Sequence, residues 1–123
     1  MNLKHILQFI KLSFIFIFID SFYLYLMKDN FNILIRGIQN EDLSLKIFPT
    51  ILCYLLLVSS IYYFIIFISG KLIDAFLLGI FIYGVFETTN LAIFNNWSYK
   101  IALIDTLWGG ILFSITAYLY KLL

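Results

Sequence analysis

The sequence predicts an all-α, transmembrane four-helix bundle with short hairpin connections and one longer loop between helices 1 and 2. Of its 123 residues, 63% are apolar and only 12% are charged, whereas a soluble domain has about 45–50% and about 25%. Four apolar runs each approach the roughly 20 residues that a spanning helix requires. They are apolar on all sides, unlike the alternating strands of a membrane barrel. We expect a single integral membrane domain over residues 1–123.

The four predicted spans follow one another along the chain, at about residues 7–27, 47–69, 72–94 and 101–120. The first span follows basic residues, as a secretory signal does. However, it is too long for such a signal and contains Asp20, so we expect it to be retained. Pro49 falls in the first turn of the second span, where its missing N–H does no harm.

The connections between the spans differ in length. Residues 69–71 form a tight hairpin in which Gly70 is the expected helix C-cap, and residues 95–98 join the last two spans, with Trp97 as an interfacial anchor. Residues 28–46 are the long link. Their mixture of charged and apolar side chains favours either a short helix on the membrane surface or an ordered loop.

The distribution of basic residues bears on orientation. An even number of spans places both termini on the same side of the membrane. Lysine and arginine are divided equally between the two sides, but Lys4 and Lys11 flank the first span, and acids accompany the basic residues of the long link. Because basic residues flank spans on the cytoplasmic side, these features favour a cytosolic location for both termini.

Three acids inside the predicted spans are the most informative residues of the chain. Placing a carboxylate at the centre of a spanning helix costs roughly 2.5–3.5 kcal/mol on insertion scales. Counted from the ends of their spans, Asp20, Glu87 and Asp105 all lie roughly 6–11 Å below the same membrane surface. We therefore predict one buried polar layer formed by helices 1, 3 and 4.

Helical spacing predicts companions for each acid in a polar cluster that could serve as a ligand or proton site. Tyr23 shares a face with Asp20, Tyr83 and Asn90 share a face with Glu87, and Trp108 shares a face with Asp105. Small residues allow helices to approach closely in lipid. The glycines expected at helix contacts are Gly79, Gly84, Gly109 and Gly110.

No lysine or arginine lies at the depth of the three acids. Carboxylates that approach one another away from water repel, and burial disfavours their charged form. We therefore expect at least one of the three to hold a proton at neutral pH, or a cation to lie among them.

Several classes of function are not supported by the sequence. A net charge of +1 gives no electrostatic case for binding nucleic acid. A single cysteine, Cys53, excludes an internal disulfide, and with only His5 as a further ligand a zinc site is not expected. We predict no catalytic residues, no metal and no cofactor, and the lipid bilayer as the surroundings.

Two stretches, residues 83–97 (YGVFETTNLAIFNNW) and 104–110 (IDTLWGG), resemble the signature of a family of small bacterial membrane proteins, domain of unknown function 2177. Its pattern is an aromatic residue and Asp, then Thr-Asn-Leu-Ala, a Trp in the next loop, and Asp-x-x-Trp-Gly. An earlier Asp-x-x-Trp-Leu resembles residues 20–24. Glu87 replaces the aspartate and Tyr23 the tryptophan. The resemblance implies a four-helix membrane protein and supplies no activity.

Three functions are compatible with this reading. A protein that carries or senses a proton, a cation or a small polar molecule would use the acids as its site, and conduction through four short helices would require a homo-oligomer. A structural or assembly component would tolerate amide replacements of the acids. A membrane-embedded enzyme acting on lipid is the least supported, because Ser59 and Ser60 have no base nearby in the sequence.

Overall fold

The computed structural model describes residues 2–123, and in this range the chain is helical without strands. Each of four helices is long and apolar enough to cross a membrane, which confirms the predicted fold class. The helices are α1 (Leu3–Gln39), α2 (Ile47–Ile61), α3 (Leu72–Ile93) and α4 (Tyr99–Leu122). A π-helical segment, Tyr62–Phe67, continues α2 directly, and α2 with this segment forms the second candidate span, Ile47–Phe67.

The first helix is much longer than predicted. Its N-cap is Asn2, whose side chain accepts a hydrogen bond from the His5 N–H, and it ends at Asn40 in the left-handed conformation (φ 61°). Residues 28–39 contain no proline, so nothing stops the helix before that cap. Residues 28–39 therefore continue α1 and do not form the short surface helix or the loop expected for residues 28–46. Residues 40–46 remain as the longest connection.

The hairpin between the second and third spans closes differently from the prediction. Its left-handed residue is Ser69 (φ 62°), not Gly70. The N–H of Gly70 donates to the Ile65 carbonyl at 2.8 Å, and the N–H of Ser69 donates to Ile66 at 3.3 Å. These two bonds form a Schellman motif. Gly70 is required for space, since a Cβ there would lie 2.8 Å from the Phe64 carbonyl oxygen.

Contacts at the hairpin bring both chain termini to the same end of the bundle. His5 of α1 contacts Tyr62, and Lys121 of α4 donates to the Gly70 carbonyl at 2.8 Å. Lys11 lies over the Tyr120 ring, 4.6 Å from its centroid. The chain thus fits a multi-pass membrane protein. That this end of the bundle faces the cytosol stays a prediction.

The helix α4 forms the centre of the bundle and packs most closely against α3. A Cβ on Gly79 would collide with the Gly109 backbone, and a Cβ on Gly110 would lie 2.8 Å from the Phe76 ring. Gly84 has more room, with only Thr106 at 3.5 Å. Because the α3 and α4 backbones touch, the acids that these helices carry are held at a fixed separation.

Candidate functional site

Asp20 of α1 joins three helices at one carboxyl group. Its side chain is buried, with 5% of its surface exposed. One oxygen accepts a hydrogen bond from the Tyr54 hydroxyl of α2 at 2.6 Å. The other accepts from the Trp108 indole N–H of α4 at 2.9 Å. Both oxygens of this acid therefore have a donor, and neither donor is charged.

Asp105 of α4 is paired with Tyr23 of α1. The Tyr23 hydroxyl donates to an Asp105 carboxyl oxygen at 2.9 Å. The Tyr23 ring also stacks on the indole of Trp108, with centroids 4.5 Å apart and planes 7° from parallel. Since Trp108 donates to Asp20, the stacked rings join the surroundings of two acids into one layer.

Glu87 of α3 completes the layer. It is the most buried of the three acids, with 1% of its surface exposed, and it accepts a hydrogen bond from the Trp97 indole N–H at 2.7 Å. The Asp105 carboxyl group is the charged neighbour of Glu87 in this layer, and no ion pair neutralises either acid in residues 2–123. If both were ionised, two negative charges would face each other away from water, and a proton on one of them would remove that repulsion.

Two predicted members of the cluster do not join it through hydrogen bonds. The Tyr83 ring lies against Gly109 and meets the Phe113 ring edge-on at 6.1 Å. In residues 2–123, neither the Tyr83 hydroxyl nor the Asn90 side chain forms a hydrogen bond with an acid. Sharing a helix face with Glu87 does not bring Tyr83 into the cluster. Tyr83 lies one helical turn deeper, and its ring packs against Gly109.

Two hydrogen-bond donors of the layer, Tyr54 and Trp97, were not predicted as members. Tyr54 lies seven residues after the start of α2, about 11 Å along the helix axis, which is the same depth as the acids. Counting polar aromatic residues as well as acids would have found it. Trp97 was assigned to the membrane interface, and only the fold of the α3–α4 connection turns its indole towards Glu87.

The extension of α1 beyond residue 27 lies beside the end of the bundle that carries this layer. The Asn96 side chain, in the α3–α4 connection, donates to the Gly37 carbonyl at 3.4 Å. Phe31 meets the Tyr23 ring edge-on at 6.0 Å. The extension therefore reaches both the connection that carries Trp97 and the ring that donates to Asp105.

The chemistry of the layer is that of neutral donors facing carboxyl groups. The ion pair in residues 2–123, between Arg36 and Asp42, is exposed and lies outside it. The same residues contain no cluster of three metal-ligating side chains. What the layer offers chemically is a set of buried oxygen atoms that can exchange protons.

Fold and site together define a small helical membrane protein with four spanning helices and a buried layer of acids and aromatic donors. The family described as "Predicted membrane protein (DUF2177)" has a model that matches residues 5–121. The chain belongs to this family, as the sequence motifs indicated. No curated protein matches it, and no solved structure does.

Proposed function

We propose that this membrane protein binds and releases a proton at the Glu87–Asp105 pair, and that it carries or senses protons through this exchange. The observation that supports the proposal is the presence of two buried carboxyl groups in one layer, whose hydrogen-bond donors are uncharged. Placed there without a proton, the pair would bring together two negative charges away from water. Binding one proton removes that repulsion.

The donors around the pair favour a proton over a metal cation. The indole N–H of Trp97 points at Glu87, and the phenol O–H of Tyr23 points at Asp105. Each donor presents its positive hydrogen to the carboxyl oxygen, where it would compete with a metal cation. A single proton between the two carboxyl groups leaves both of these hydrogen bonds intact.

The direct test is infrared difference spectroscopy on the full chain in lipid vesicles, using Glu87→Gln, Asp105→Asn and a control, Glu41→Gln. Glu41 is exposed in the connection after α1. We expect a protonated carboxyl band in the unmodified protein at neutral pH, and its loss in the Glu87 and Asp105 variants only. An unmodified protein whose acids are all ionised at neutral pH would contradict the proposal.

The vesicles also distinguish carrying from sensing. A pH-sensitive dye inside them reports proton entry driven by a pH difference. If the protein carries protons, entry exceeds that of empty vesicles and falls with Glu87→Gln, whereas Glu41→Gln leaves it unchanged. If it senses protons, entry equals that of empty vesicles while the infrared band still titrates.

A structural role is the second candidate, and one observation favours it. Asp20 accepts hydrogen bonds from two other helices, so its removal would leave two buried donors without partners. On this alternative, Asp20→Ala lowers the folded yield and Asp20→Asn retains most of it. It also requires that no acid variant changes a protonated carboxyl band, which separates it from proton binding.

A further inference from the structure

A groove of about 420 Å³ opens at the other end of the bundle, far from the three acids. It lies between the first turns of α1 and the π-helical segment after α2. Its lining combines four aromatic rings with two smaller polar side chains. The lining residues are His5, Phe9, Ser59, Tyr62, Tyr63 and Phe67.

The π-helical segment shapes the wall of this groove. A π-helical turn contains an extra residue and is wider than an α-helical turn, and such turns are frequent at functional sites. Here the Tyr63 and Phe67 rings stack with centroids 6.0 Å apart and planes 15° from parallel. Tyr62 meets Phe9 of α1 edge-on at 5.9 Å. The rings therefore form an apolar wall, and the groove opens towards the lipid-facing outside of the helices.

One rim of the groove is polar and ordered. The Tyr62 hydroxyl donates its proton to the Gln8 side-chain oxygen at 3.0 Å. The same hydroxyl lies 3.2 Å from Nδ1 of His5. Because Tyr62 has a single proton and Gln8 accepts it, the hydrogen-bond network assigns a proton to Nδ1 of His5. This bond fixes the imidazole at the rim.

The end of the bundle around the groove is basic. Its charged side chains are Lys4, Lys11, Lys71, Lys121 and Asp74. Lys11 and Lys121 are engaged with Tyr120 and Gly70, whereas Lys4 and Lys71 are exposed. At the opposite end, acids of the α1 extension and its connection offset most of the basic residues. An anion is therefore favoured at the groove end.

We propose that the groove binds one acyl chain of an anionic phospholipid, whose phosphate lies at Lys4, next in the chain to the rim residue His5. An apolar groove in the spanning helices is surrounded by lipid chains. Basic residues near a membrane surface attract anionic head groups. The aromatic groove matches the acyl chain of such a lipid, and its polar, basic rim matches the head group. The proposal does not depend on proton binding at Glu87 and Asp105.

Lipid retention by the purified full chain tests the assignment. The protein is exchanged into detergent with equal amounts of phosphatidylglycerol and phosphatidylcholine of identical chains, and bound lipid is counted by native mass spectrometry. We expect phosphatidylglycerol to be retained in preference. We also expect Glu87→Gln to leave this preference unchanged, so that failure of the proton site and failure of the lipid site are distinguishable.

Two matched pairs of variants locate the lipid. Ser59→Leu fills the groove and should displace the lipid, whereas Ser44→Leu, exposed in the connection after α1, should not. Lys4→Gln should lower phosphatidylglycerol binding about fivefold, as expected for one basic residue near an anionic lipid. Lys100→Gln removes the same charge at the other end and should have no effect. If Ser59→Leu does not fold, the Lys4 and Lys100 pair still decides.

Three results would overturn the proposal. One is equal retention of the two phospholipids. Another is equal loss of lipid with Lys4→Gln and Lys100→Gln, which would indicate general surface charge. The third is binding of soluble glycerol phosphate as tight as that of phosphatidylglycerol, which would indicate a phosphate site without a role for the acyl chain.

Discussion

The two ends of the bundle use aromatic residues in opposite ways. At the end that carries the acids, Tyr23, Tyr54, Trp97 and Trp108 each donate a hydrogen bond to a buried carboxyl group. At the other end, Phe9, Tyr63 and Phe67 form the wall of an open groove. In the acid layer the hydroxyl and indole N–H groups of the rings are all engaged in hydrogen bonds. In the groove the flat faces of the rings form the binding surface.

This difference follows from what each end has to accommodate. Buried acids require donors, and in a span without basic residues only hydroxyl, amide and indole groups can provide them. The groove end has no buried acid, so its rings are free to pack against one another. The abundance of aromatic residues therefore does not by itself indicate one function.

The largest effect should come from breaking the frame that both ends share. Gly79→Ala places a Cβ against the Gly109 backbone, and backbone cannot move aside as a side chain can. We expect a loss of about 3 kcal/mol, at the upper end for overpacking, measured by unfolding in mixed micelles. Gly84→Ala is the control, because its Cβ would meet only Thr106 at ordinary distance. Equal stability of the two variants would contradict the α3–α4 contact.

A smaller loss of stability should distinguish the two ends when the same substitution, Tyr to Phe, is made at each end of the second span. Tyr54→Phe removes a hydrogen bond to Asp20 and should cost about 1.5 kcal/mol, near the maximum measured for such bonds in membranes. Tyr62→Phe removes the bonds with Gln8 and His5 at the half-buried groove rim and should cost about 1 kcal/mol, somewhat less than twice the average value for one bond. Tyr63→Phe, with its ring half exposed, is the control and should cost less than either. The reverse order would show that the groove rim matters more for stability than the acid layer.

The smallest effect should be local and dependent on pH. Arg36 donates a hydrogen bond to Asp42, and the Asn32 amide does the same, so the pKa of Asp42 is lowered from its ordinary value. A lowered pKa means that the contact contributes stability above the ordinary value, about 3.9, and loses it as the pH falls through the lowered one. The connection after α1 should then detach without unfolding the bundle.

The NMR signal of the Leu43 amide reports this detachment, because its N–H donates to the Asn32 side chain at 2.7 Å. We expect the signal to shift in strong acid, and Asp42→Asn to produce much of the shift at neutral pH. Asp29→Asn, an exposed acid on α1, should leave it unchanged. A Leu43 signal insensitive to both acid and Asp42→Asn would exclude the ion pair as the cause.

The helices were predictable because a membrane span requires a long apolar run, and such runs are visible in any sequence. The end of α1 was not predictable in the same way. Beyond residue 27 the hydropathy falls, and hydropathy marks where the chain leaves lipid rather than where a helix stops. The stop at Asn40 is local backbone chemistry. The π-helical segment from Tyr62 left no pattern in the sequence at all.

The acid layer was partly predictable. Depth along the helices indicated that Asp20, Glu87 and Asp105 lie at one level, since the rise per residue is fixed. Their hydrogen-bond partners depend on how the helices rotate about their axes, which the sequence does not specify. Trp108 was predicted beside Asp105, its neighbour on α4, yet its indole donates to Asp20 on another helix.

The chain contains two tryptophans, and each donates its indole N–H to one of the buried acids. Indole fluorescence responds to charge beside the ring, so tryptophan emission, excited at wavelengths that tyrosine does not absorb, comes entirely from fluorophores bonded to the acid layer. A gain or loss of charge at Glu87 or Asp20 is therefore visible optically in real time. Events in the groove, whose lining has no tryptophan, contribute no emission of this kind.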